Sequence, residues 1–173
     1  MPTEHEYKFV LNPTCFNTIN RKLANFILIE QGYLPSDPEI TLRIRKIRKT
    51  IEITEWYFTF KQNVDGRIIE IETALDSRDA LDLWKKCTNF VKKRRYSYDN
   101  QVGKWEIDFF ENNNEVYFSV VEIELEEGAS RPTEIPEFIK DHIIYQVDLT
   151  DYRFSNRKLD DVEYAKKLLN SII

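Results

Sequence analysis

Near the N-terminus, Glu4, Glu6 and Lys8 alternate along Thr3-Glu4-His5-Glu6-Tyr7-Lys8-Phe9, a spacing that puts all three on one face of an extended strand. The same two-residue spacing returns as Arg43 and Arg45, Glu70 and Glu72, Lys93 and Arg95, Glu106 and Asp108, and Glu122 and Glu124. Carboxylates gathered on one surface suit a hard divalent cation, whereas gathered ammonium and guanidinium groups suit a polyanion. Glu4, Glu6, Glu70, Glu72, Glu106, Asp108, Glu122 and Glu124 make the first set, and Lys8, Arg43, Arg45, Lys61, Lys93 and Arg95 the second. A metal ion together with a polyphosphate satisfies both.

One alternating charged pair by itself describes an ordinary solvated sheet face. The set points inward instead, because like charges share a strand, acidic and basic strands both occur, and several helices carry apolar stripes that need a sheet to cover. Trp105, Ile107 and Phe109 flank Glu106 and Asp108, while Val121, Ile123 and Leu125 flank Glu122 and Glu124, so the uncharged side is bulky enough to pack under helices. About eight antiparallel strands can close into a barrel lined by alternate residues, and closure removes exposed edges. The expected fold is therefore α+β: an eight-stranded antiparallel barrel with a charged lumen and helices outside.

The elements follow from periodicity and turn chemistry. Strands are expected over residues 3–11, 26–31, 40–48, 51–62, 68–74, 90–98, 102–110 and 116–126, with Asp65-Gly66 as a hairpin turn and Asp99-Asn100 and Asn112-Asn113-Asn114 as further turns. Asn12-Pro13 reads as a cap followed by proline at the first helical position, opening a helix to about Asn25. Gly32 reads as the turn that ends the second strand. Asp76 or Ser77 caps a helix to about Thr88, and after Gly128 come helical pieces at 136–143, 152–156 and 159–172.

The 173 residues fit one domain, taken here as 1–173, and 42% hydrophobic with 32% charged residues marks a globular chain. No apolar run approaches the length of a membrane helix, and the first residues lack the basic and apolar regions of a secretory signal. Cys15 and Cys87, the only two cysteines, suit a reducing compartment, so a cytoplasmic location is expected. A net charge of −5 argues against nucleic acid as a partner, and Lys92-Lys93-Arg94-Arg95 alone is an ordinary solvated charge run. His5 shares parity with Tyr7 and Phe9, away from the acids, and only four glycines and no Walker A motif leave side-chain charge to recognise phosphate.

Glu4-His5-Glu6-Tyr7-Lys8 resembles the ExExK signature of the CYTH superfamily, the triphosphate tunnel metalloenzymes. The resemblance continues in order through Thr41-Leu42-Arg43-Ile44-Arg45, Thr59-Phe60-Lys61, Glu70-Ile71-Glu72, Lys93-Arg94-Arg95-Tyr96, Trp105-Glu106-Ile107-Asp108 and Val121-Glu122-Ile123-Glu124-Leu125. Arg153-Phe154-Ser155-Asn156 is similar to the family's RYSN segment, which implies that Arg153 and Asn156 shape one tunnel mouth. One departure stands out: where relatives often place an arginine two residues before the middle acidic pair, this chain has Ile68, and Arg67 has the opposite parity unless a bulge intervenes.

The resemblance implies hydrolysis of inorganic triphosphate, thiamine triphosphate or a nucleoside triphosphate, or cyclisation of ATP, with one or two Mg²⁺ or Mn²⁺ ions. Under it, Glu4, Glu6, Glu122 and Glu124, with Asp108 as a further ligand, hold metal, and Lys8, Arg43, Arg45, Lys61, Lys93, Arg95 and Arg153 bind phosphate. Glu70, Glu72 and Glu106 are additional lumen acids. Tyr33, in Gly32-Tyr33-Leu34, and Lys61 match a catalytic pair of the short bacterial-type hydrolases. The leading expectation is a metal-dependent triphosphatase; a class IV type adenylyl cyclase and a non-catalytic polyphosphate-binding module are the alternatives. The expected partner is a small triphosphate-containing molecule, with neither membrane nor nucleic acid, and the resemblance makes a homodimer reasonable.

Overall fold

Alternation of apolar and polar residues builds long stretches of the chain into strands, and in the computed structural model residues 5–125, 134–148 and 150–173 are described. In chain order the elements are β1 (His5–Leu11), a 3₁₀ turn (Pro13–Cys15), α1 (Phe16–Leu23), β2 (Ile27–Tyr33), β3 (Ile40–Arg48), β4 (Thr54–Val64), β5 (Arg67–Leu75) and α2 (Ser77–Trp84). There follow β6 (Asn89–Asp99), β7 (Lys104–Asn112), β8 (Glu115–Leu125), α3 (Glu137–Lys140), β9 (Ile143–Val147), a second 3₁₀ turn (Tyr152–Phe154), α4 (Asn156–Leu159) and α5 (Val162–Ile172). The chain divides into two compact units, residues 1–26 with 93–173, and residues 27–92.

In the first unit the strand order is β6-β7-β8-β1-β9, with antiparallel ladders between neighbours. The apolar side of these strands is the core: Phe9, Leu11, Tyr96, Trp105, Ile107, Phe109, Val121 and Ile123 are each no more than 1% exposed. Cys15 and Ile19 cover them from the first helical segment and Ile139 from α3, which is how an amphipathic helix finds its place on a sheet. Asn12 accepts a hydrogen bond from the Thr14 amide and Asp161 one from the Tyr164 amide, fixing where the helical segments begin.

In the second unit the order is β5-β4-β3-β2, a meander whose β4–β5 hairpin turns through Asp65 and Gly66, at φ of 52° and 81°. α2, capped by Asp76, lays Ala80, Leu83 and Trp84 over Ile44, Trp56, Phe58 and Leu75. β7 and β8 in the first unit are joined in the same manner, with Asn113 and Asn114 at φ of 50° and 64°.

Several expectations need correction. Among the described residues there are nine strands rather than eight, because Ile143–Val147, which begins where the helix expected over 136–143 ends, pairs with β1. The ladders among the described residues do not close into a barrel: β5 pairs with β4 and β9 with β1, each on one side. Gly32 does not end β2, which runs on through Tyr33; its missing Cβ admits Cys87 and Phe90, whose atoms would lie 2.8–3.2 Å from one. The second strand-forming stretch of the meander begins at Thr54 rather than Ile51, and the helix expected over 159–172 begins at Val162, after a separate short α4.

Candidate functional site

Directly paired residues of an antiparallel ladder point to the same side, so the register decides which charges share a face. In the first unit Glu6 pairs with Glu124, Lys8 with Glu122, Glu106 with Glu122, and Arg95 with Asp108. Glu6, Lys8, Lys93, Arg95, Glu106, Asp108, Glu122 and Glu124 therefore share one face, the side away from Trp105, Ile107, Val121 and Ile123. Glu4, expected beside them, lies outside the described residues.

The floor of this face is a buried network. Asp108 is met by the Lys93 ammonium at 2.7 Å and forked by Arg95, whose Nε and Nη2 donate to its two oxygens at 2.7 and 2.9 Å. Arg95 also reaches Glu106 at 2.7 Å. Burial pushes the Asp108 carboxyl up, but the charges of Lys93 and Arg95 outweigh it and hold the group well below the usual carboxylate range. Burial likewise pulls the Arg95 guanidinium down, and the Asp108 charge more than reverses that.

Lys8 stands at the edge, 3.4 Å from Glu122 and donating to the Phe154 carbonyl at 3.0 Å. The Glu122 and Glu6 carboxyl groups share a hydrogen bond; burial raises the Glu122 carboxyl, but Lys8 and that bond bring it below its ordinary value. Asn156 comes 3.4 Å from the Lys93 ammonium through its side-chain oxygen. Arg153 is turned to its neighbour: Asp151 accepts from its Nε and Nη2, the latter at 2.7 Å, and the guanidinium is half exposed.

In the second unit Tyr33 pairs with Arg43, Gln31 with Arg45, Arg43 with Thr59, Thr41 with Lys61, Thr59 with Glu72, and Lys61 with Glu70. These side chains also share one face. Arg43 Nη2 donates to Thr59 Oγ1 at 3.1 Å and lies 3.5 Å from Glu72, while its buried Nε–H has no acceptor among the described residues. Lys61 is exposed, Tyr33 is 3% exposed, and β3 lies between their strands, about 10 Å across two strand spacings. The β4–β5 register is uninterrupted from Trp56 to Val64, so no bulge turns Arg67 toward Glu70 and Glu72.

The sequence did not single out Gln31 or Thr59. Gln31 is fully buried, accepts from Arg45 Nε at 2.8 Å and donates to the Tyr33 hydroxyl at 3.0 Å; Thr59 donates to Glu72 at 2.9 Å. The available signal was parity, since Gln31 lies two residues before Tyr33 and Thr59 two before Lys61.

For a divalent cation the donor chemistry fits: Glu6 is opposite Glu124 in register, Glu122 lies on the same face beside Lys8, and carboxylate oxygens suit Mg²⁺ or Mn²⁺. Among the described residues no group of three or more metal-ligating side chains is already assembled. Asp108 spends both oxygens on Lys93 and Arg95.

The CYTH domain profile matches residues 2–152, and the chain belongs to the CYTH domain family, whose members include triphosphatases and adenylyl cyclases and are generally dependent on divalent metal. A conserved hypothetical protein from Pyrococcus furiosus matches with a TM-score of 0.52 and 22% identity over 80% of this chain and 85% of its own. A Bacillus halodurans protein described as a "putative adenylate cyclase" matches with a TM-score of 0.51 and 19% identity over 73% of this chain and 81% of its own. At such identities the likeness shows a shared fold. No curated protein matches the sequence. No helix among the described residues is long and apolar enough to cross a membrane.

Proposed function

We propose that this chain is a metal-dependent hydrolase acting on inorganic triphosphate or a small organic triphosphate. The observation that carries the reading is the first unit's single face, where Glu6, Glu122 and Glu124 stand in register beside Lys8 and above the Lys93–Asp108–Arg95 network. Ligands for a cation and ligands for a polyanion are interleaved there. In the second unit the buried Arg43 Nε–H lacks an acceptor among the described residues, and an anionic oxygen would supply one.

In this reading Lys93 and Arg95 bind phosphate oxygens, and Asp108 positions them; Lys8 binds at the edge of the same face. Arg43, Arg45 and Lys61 are the phosphate-binding cations of the second unit, with Thr59 and Glu72 steadying Arg43. Glu6, Glu122 and Glu124, with Glu4 from outside the described residues, would hold Mg²⁺ or Mn²⁺, which offsets charge on the phosphate oxygens. Arg153 reaches phosphate only by leaving Asp151, so its contribution is secondary.

The test is a panel of inorganic triphosphate, thiamine triphosphate and ATP, each with Mg²⁺ or Mn²⁺. Metal-dependent release of orthophosphate supports the proposal. Cyclic AMP with pyrophosphate from ATP would replace it by a cyclase, and tight binding of triphosphate without turnover would replace it by a binding module.

A further inference from the structure

Tyr57, Thr59 and Lys61 are alternate residues of β4, so one face of one strand carries a phenol ring, a hydroxyl and an ammonium at intervals of about 7 Å. The ladders give each a neighbour on either side. Thr59 lies between Arg43 and Glu72, Lys61 between Thr41 and Glu70, and Tyr57 between Arg45 and Ala74. The two ends of this face are chemically unlike. Past Thr59 in one direction stand the charges of Lys61 and Glu70; in the other stands the Tyr57 ring, followed by Ile47 with Ile29 beside it. The Tyr57 hydroxyl donates to Glu55 Oε2 at 2.7 Å, and the other Glu55 oxygen accepts from the Lys49 ammonium at 3.1 Å, which anchors the phenol along its own strand. The ring itself is not covered. Tyr57 is partly exposed, no aromatic ring or cation lies over it among the described residues, and Ala74, its neighbour on β5, is exposed and no longer than a methyl group.

We infer that Tyr57 is a stacking platform for a flat heteroaromatic group joined to the triphosphate, so that the favoured substrates are nucleotide-like organic triphosphates rather than inorganic triphosphate; this rests on the triphosphatase reading above. The Arg43 Nε–H, buried and without an acceptor among the described residues, takes a phosphate oxygen at the middle of the face. The terminal phosphate then extends toward Lys61 and the organic group toward Tyr57. Stacking on a tyrosine tolerates many ring types, because every flat aromatic group has a π face. Inorganic triphosphate leaves this end of the face unused.

The decisive variants are Tyr57→Leu, which removes the ring, and Tyr57→Phe, which keeps the ring and loses only the bond to Glu55. Tyr57→Leu is expected to raise KM for ATP and thiamine triphosphate about tenfold with kcat little changed, and to leave KM for inorganic triphosphate at its wild-type value. Tyr57→Phe should match wild type on all three. Should Tyr57→Leu fold poorly, Ala74→Leu at its exposed position fills the space beside the ring and is expected to give the same selective loss. Equal effects on inorganic and organic triphosphates, or none on the organic ones, would overturn the platform. Calorimetric titration with ATP and with inorganic triphosphate, metal chelated, reads binding without turnover. ATP binding that weakens about tenfold in Tyr57→Leu, in a protein that hydrolyses nothing, retains the platform while the proposed function fails. A protein that hydrolyses inorganic triphosphate and neither binds nor hydrolyses the organic ones retains the function and loses the platform, and one that binds neither ligand loses both.

Discussion

Lys93 and Asp108 meet at 2.7 Å with 1% and 3% of their side chains exposed, a buried ion pair on adjacent strands. Such a pair contributes little net stability compared with apolar packing, yet removing one partner strands the other charge out of water. Asp108→Asn is therefore expected to destabilise the fold by about 3–5 kcal/mol in denaturant titration at neutral pH, since Lys93 and Arg95 lose their shared carboxylate. A change under about 1 kcal/mol would show that the network relaxes toward solvent.

The same carboxyl sets an acid limit. Its folded-state value lies below the unfolded one, because Lys93 and Arg95 outweigh the burial that would raise it. The stability it contributes is accordingly complete above the unfolded value of about 3.9 and is lost as pH falls below that toward the folded value. Unfolding midpoints should be flat through neutrality and drop steeply below about pH 4, and the drop should be shallower in Asp108→Asn. Equal slopes in both proteins would assign the acid transition elsewhere.

Glu122→Gln combined with Glu124→Gln is expected to abolish metal-dependent turnover, with a loss of at least about a hundredfold, while the unfolding midpoint stays close to wild type. Both residues lie on the charged face, and the packing of β8 is carried by Val121 and Ile123. Turnover and metal titration measured on one preparation check both halves. Retained activity would remove these acids from the cation site.

Gly32→Ala should destabilise by about 1–3 kcal/mol, the usual cost of overpacking. An added Cβ would lie 2.8 Å from Cys87 Sγ and 3.2 Å from Phe90 Cε1. Cys87→Ala in the same chain should recover part of the loss, measurable as a partial return of the thermal midpoint. Tolerance of Gly32→Ala alone would mean the α2–β6 connection yields freely.

What the sequence disclosed was parity. Glu106 and Asp108 between Trp105, Ile107 and Phe109 can be placed on one side of β7 without knowing any partner strand, because the pleat has a fixed period. Caps were legible for the same local reason, at Asn12 and Asp76. β9 was not: Ile143–Val147 is short, and its identity as a strand comes from pairing with β1, a tertiary fact. Gly32 misled because a glycine that ends a strand and one that admits a neighbour have the same letter. Gln31 was hidden because a lone glutamine acquires meaning only once Arg45 and Tyr33 flank it across the ladder.

The division of β1, β7 and β8 by parity also governs how this protein can change over generations. Even-numbered positions such as Glu6, Glu106 and Glu122 face away from the core and can be exchanged without disturbing it, while the odd-numbered Phe9, Ile107 and Val121 keep the sheet attached to its helices. Strand length has no such freedom. One residue inserted between Ile107 and Asp108 would carry the rest of β7 to the opposite side, setting Phe109 among the charges and a carboxylate beneath a helix. Insertions that survive in this chain belong in its turns, at Asp65-Gly66 or Asn113-Asn114, where an added residue leaves every charge facing its own side.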